Sequence, residues 1–93
     1  HWLDPLAGIK LSLIGYGALT STLITLANEL CGGRIAFVME GGYNLEALSN
    51  GVANIARLLL GDTEIADPLG LPSRTEARDI APIIAQLRTI HKL

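Results

Sequence analysis

A run of five residues, Glu40-Gly41-Gly42-Tyr43-Asn44, holds the types from which a small catalytic turn can be built. Paired glycines permit positive φ and let a backbone approach a ligand closely. A tyrosine beyond them can project its phenol into a crevice and donate a hydrogen bond where negative charge develops. The same five residues also fit a tight turn with the ring packed on a sheet edge. A phosphate cradle at the start of a following helix is a third option, but Gly41-Gly42 falls short of a full glycine-rich fingerprint. Asp4 and Glu40 are carboxylates of unknown separation and define no acid–base pair. Asp4, followed by Pro5, is read as fixing its own loop through side-chain-to-backbone hydrogen bonds, and Glu40 as ordering the turn. His1 is assigned to packing beside a site and His91 to the terminal helix. Cys31 is the one cysteine, so no intrachain disulfide and no cysteine-based zinc cluster can form.

The elements that must position the turn follow from periodicity. His1 to Leu11 reads as a loop, with Asp4-Pro5 as a turn-initiating pair and Gly8 soon after. From Ser12, which can cap free N–H groups, Tyr16, Leu19, Leu23, Leu26 and Leu30 recur at helical spacing as one apolar face. Cys31-Gly32-Gly33 stops that helix. Ile35-Ala36-Phe37-Val38-Met39 shows no polar alternation and predicts a strand covered on both faces, as in a parallel sheet flanked by helices. Asn44 is suited to cap a second helix whose stripe is Leu45, Leu48, Val52, Ile55 and Leu59, with Gly61 placed to end it. Asp62 to Arg78, with Pro68, Gly70 and Pro72, reads as a surface connection. A last helix begins near Asp79, tolerates Pro82 in its first turn, and buries Ile80, Ile84, Leu87 and Ile90 or His91. The arrangement is α/β with one strand. A lone strand cannot satisfy its own backbone, so its sheet neighbours must come from elsewhere.

Composition agrees. Of 93 residues, 49 % are hydrophobic and 17 % charged, against roughly 25 % charged in average globular chains. Such a chain is too apolar to coat a small sphere and reads as part of something larger. A net charge of −2 offers no electrostatic footprint for nucleic acid or an anionic membrane. Leu11 to Asn28 lacks charged side chains, but Ser12, Thr20, Ser21, Thr22 and Thr25 interrupt it, which favours an amphipathic helix of a soluble domain over a membrane span. With no signal peptide visible and one cysteine, a reducing, cytoplasmic setting is expected.

Several segments together resemble the histone deacetylase family. His1-Trp2-Leu3-Asp4-Pro5-Leu6 resembles the tail of that family's motif, glycine-phenylalanine-aspartate-alanine-histidine followed shortly by aspartate-proline-leucine. Leu11-Ser12 with Gly15-Tyr16, Cys31-Gly32-Gly33-Arg34 and Met39 to Leu45 are similar to its later segments. The likeness runs from residue 1 to about 61 and is weaker in the terminal helix. The nearest types are bacterial, class II-like deacetylases, which include acetylpolyamine amidohydrolases. The resemblance implies that residues 1–93 are the C-terminal portion of one deacetylase domain, an arginase/deacetylase-like three-layer α/β/α fold with a parallel sheet. It implies a zinc-dependent hydrolase acting on acetyl-lysine or acetylpolyamine amides. Tyr43 matches the tyrosine that stabilises the oxyanion, Gly41 and Gly42 the glycines beside the acyl-lysine channel, and Pro5 and Leu6 its lower wall. In the family two aspartates and a histidine hold Zn2+, and an upstream histidine pair serves as base and acid. The last of those aspartates would stand two positions ahead of His1. No metal ligand falls within the chain, which by itself is expected to be inactive. The competing possibility is a non-catalytic α/β module that associates with another chain, and either parent is compatible with an oligomer.

Overall fold

Side-chain caps mark the starts of the first two helices, and a left-handed glycine closes the first. The computed structural model describes residues 1–73 and 79–93; the last five residues of the connection expected over 62–78 lie outside the described residues. Helix α1 runs Leu13–Cys31, with the Ser12 hydroxyl accepting the Gly15 N–H at 3.1 Å and Gly32 closing it in the left-handed conformation. Helix α2 runs Leu45–Leu59, capped by Asn44, whose side-chain oxygen accepts the Ala47 N–H at 2.9 Å, and Gly61 follows it at φ 93°. Helix α3 runs Ala81–His91 with Pro82 in its first turn, where the missing N–H costs nothing, and the Asp79 carboxylate accepts the Ala81 N–H at 3.0 Å.

α1 and α2 pack together. The buried residues of α1 are Leu13, Gly17, Thr20 and Ala27, and those of α2 are Ala47, Asn54 and Leu58. Each set lies one residue out of step with the apolar stripe expected for that helix, a rotation of about 100° around the axis. The buried faces turn partly toward the connection: a β-carbon at Gly17 would meet the Ile65 side chain, and Asn54 bonds Ala66. Around Gly51 the opening is filled by Leu13, whose Cδ2 would stand 3.7 Å from a β-carbon there. The expected stripes are corrected accordingly. Leu19, Leu23, Leu26 and Leu30 of α1, and Leu45, Val52 and Leu59 of α2, are exposed. α3 buries none of its residues, so Ile80, Ile84, Leu87 and Ile90 are also exposed rather than packed.

The expectation of an α/β fold with a parallel sheet is overturned. Among the described residues there are three helices and no strand. Ile35 to Met39, read above as a strand, has no regular structure. Its backbone finds no ladder partner, and without one an apolar run cannot become a strand however strong its propensity.

The remaining connections are polar. Buried Asn54 donates its amide N–H to the Ala66 carbonyl at 2.8 Å and accepts the Ala66 N–H at 3.1 Å, pinning the connection to α2. Asp67 accepts the Ile14 N–H at 3.3 Å and the Gly70 N–H at 2.8 Å, and the Trp2 indole donates to the Gly70 carbonyl at 2.9 Å. The chain's first residues and the connection thus meet at the start of α1. No helix is long and apolar enough, among the described residues, to cross a membrane.

Candidate functional site

Tyr43 is the last residue before the cap of α2, so its N–H lies outside the helix and needs a partner from elsewhere. Asp4 supplies it: Oδ2 accepts the Tyr43 N–H at 2.9 Å, across 39 positions of sequence. The other oxygen, Oδ1, accepts the N–H groups of Leu6 and Ala7, each at 2.9 Å. One carboxylate therefore joins the loop that opens the chain to the turn ahead of α2. The three backbone donors favour the charged form, with Ala7 first, then Tyr43 and Leu6, and they hold the Asp4 carboxyl below its ordinary range.

The turn itself depends on Gly42, at φ 113°, a conformation that side chains with a β-carbon rarely adopt. A β-carbon there would also meet Leu48 Cδ1 at 2.7 Å. Gly41 is different: it carries no positive φ, and a β-carbon would make ordinary contact, 3.5 Å from Tyr43 Cε2. The Tyr43 ring thus lies alongside Gly41 and stays 60 % exposed. It is not turned into a packed interior.

Tyr43, Gly41 and Gly42 border a mainly apolar cavity of about 610 Å³, together with His1, Asp4 and Tyr16. Main-chain nitrogen of His1 donates to the Tyr16 hydroxyl at 3.0 Å. Pro5 and Leu6 do not border this cavity, although Asp4 and Ala7 on either side of them do, and Leu6 is exposed. The structure therefore brings the tyrosine and its glycines to one opening and leaves Pro5 and Leu6 beside it. The sequence offered no route to the Asp4–Tyr43 link. Asp-Pro announces a local turn, and nothing in its type or spacing points to an amide so far along the chain.

The described residues do not form a zinc site. No group of three or more His, Cys, Asp or Glu side chains among the described residues is placed to hold a metal ion. Asp4 has both oxygens engaged by backbone donors. Nδ1 of His1 accepts the Leu3 N–H at 3.2 Å, so in the neutral ring the proton sits on Nε2, which is buried without a partner. A protonated ring nitrogen is not a metal ligand.

Residues 1–59 match the family model for the histone deacetylase domain. The chain is 40 % identical to histone deacetylase 14, chloroplastic, of Arabidopsis thaliana, over all of this chain and 23 % of that protein. It is 38 % identical to histone deacetylase 10, chloroplastic, of Oryza sativa subsp. japonica, over all of this chain and 22 % of the relative. Histone deacetylase HDA1 of Saccharomyces cerevisiae is 39 % identical over 61 % of this chain and 8 % of its own length. The chain thus spans under a quarter of the length of these relatives. No solved structure matches it at a significant level.

Proposed function

Because the chain belongs to the histone deacetylase family, we propose that it is the C-terminal portion of a deacetylase domain and supplies that enzyme's oxyanion-stabilising tyrosine. The reaction is hydrolysis of an acetyl amide on a lysine or polyamine nitrogen. The observation that carries the proposal is the placement of Tyr43: its ring stands 60 % exposed at the edge of an apolar cavity, with its backbone tied in place by Asp4.

An apolar opening suits the methylene chain of an acylated lysine or polyamine, whose amide has lost the amine's charge. As the acyl carbon becomes tetrahedral, its oxygen gains negative charge, and a phenol O–H already aimed at that position stabilises it without reorganising. Gly41 leaves room beside the ring, and Gly42 lets the backbone turn there. The zinc ion that family membership implies, which activates water when bound, belongs in this proposal to residues ahead of His1.

The test is Tyr43→Phe in the complete deacetylase that carries these residues. Turnover of an acetyl-lysine peptide or acetylpolyamine should fall about 10²–10³-fold, with bound metal unchanged. Unchanged turnover, or metal lost in proportion to activity, would rule out the assignment. The 93 residues alone should turn over neither substrate.

A further inference from the structure

We propose that Asp4 is a positioning residue for the Tyr43 phenol, its single carboxylate holding the catalytic turn in register with the opening loop; this deepens the assignment of Tyr43 above and rests on it. Little else holds the turn. Between Ile35 and Tyr43, among the described residues, the bond from the Tyr43 N–H to Asp4 Oδ2 is the only hydrogen bond to the rest of the chain. Ahead of the tyrosine stand two glycines, one at φ 113°, which add no side-chain packing. The ring is more exposed than buried, so packing does not lock it. Behind it α2 begins, capped by Asn44, and this fixes the far end of the turn but not its approach. The tyrosine is held between a rigid helix start and a loose segment. Asp4 is the strut that closes the angle.

The carboxylate is the only small group that can fill this role. Asp4 accepts from both sides: Leu6 and Ala7 at Oδ1, Tyr43 at Oδ2. An asparagine has one acceptor oxygen and an amino group of donors only, so it must face N–H against N–H on one side or the other. Either the loop or the turn is released. A serine can still hold its own loop through a short side-chain-to-backbone bond, but its single oxygen cannot reach across to Tyr43 as well. The two variants therefore separate the loop from the turn.

The experiment is a double-mutant cycle in the complete deacetylase, read together with backbone amide exchange. Asp4→Asn and Asp4→Ser should each lower kcat about 10- to 100-fold, the scale on which misplacing a reacting group by about an ångström acts, with metal content unchanged. Placed on Tyr43→Phe, the same substitutions should cost less than about threefold, because a strut for an absent hydroxyl has nothing left to position. A purely structural role would give the same loss in both backgrounds, and that additive result would overturn the proposal. Amide exchange supplies the second reading. The Tyr43 N–H should be protected in the wild-type protein and released in Asp4→Ser, while α1 is unaffected. Should both variants fail to fold, the wild-type measurement still decides: a Tyr43 amide that exchanges freely refutes the strut. Full activity in Tyr43→Phe would instead refute the oxyanion assignment, and the exchange result would show separately whether the tether exists.

Discussion

At the scale of the residue, the site rests on one carboxylate whose charge is favoured by three backbone N–H donors. Such a group carries a folded-state pKa below its ordinary value of 3.8. Its stabilisation is therefore fully present above the unfolded value and disappears as pH falls through the lower, folded one. Protonated Asp4 has one oxygen that is a donor, as Asn has an amino group, so the two side chains should become equivalent in acid. In urea titrations of the complete protein, the stability difference between wild type and Asp4→Asn should stay constant from neutral pH to about pH 4 and close at lower pH. A difference that persists unchanged in strong acid would show that the ionised carboxylate and its hydrogen bonds are not its source. Residue type alone left the Glu40 to Asn44 turn open between a catalytic turn, a packed turn and a phosphate cradle, and only the family resemblance singled out Tyr43 and its glycines. Asp4's partner was not legible, since hydrogen bonds between distant loops leave no periodicity to read.

At the scale of the element, capping was legible and packing was not. Ser12, Gly32, Asn44 and Gly61 mark helix ends because each answers a local need, an unpaired N–H or a left-handed turn, that depends on no other part of the chain. Which face a helix buries depends on its neighbour. Leucine spacing pointed to Leu19, Leu23 and Leu26, whereas α1 buries Gly17, Thr20 and Ala27. The sheet expected from Ile35 to Met39 failed for the same reason: a strand is a property of a pair. One glycine on each helix makes a prediction of opposite sign. Gly51→Ala adds a methyl at ordinary distance from Leu13 and relieves the glycine's helix penalty, so it should stabilise the protein by up to about 1 kcal/mol. Gly17→Ala places its methyl against the Ile65 side chain, within 2.8 Å of Cγ1, and should destabilise by about 1–3 kcal/mol despite the same helix gain. Thermal melts of the two variants should move in opposite directions, and equal shifts would contradict the packing.

At the scale of the whole molecule, the apolar excess in the composition reappears as surface. A compact domain of this length has a radius of gyration of roughly 12 Å, whereas this chain extends to 15.2 Å. α3 packs on neither of the other helices and buries none of its residues, and even on the packed pair Leu19, Leu23, Leu26 and Leu30 of α1 and Leu45, Val52 and Leu59 of α2 remain in solvent. Contiguous bare apolar area of this kind is uncommon on soluble monomers and drives association when nothing covers it. The 93 residues alone should therefore bind a hydrophobic dye strongly and sediment as mixed, concentration-dependent species. Leu23→Glu with Leu26→Glu removes apolar area from the centre of the exposed α1 face without touching the Gly17, Thr20 and Ala27 contact. Dye binding and association should both fall, while helix content by circular dichroism holds, since both changes keep good helix formers. If those glutamates instead melt α1, the leucines are buried against something in solution.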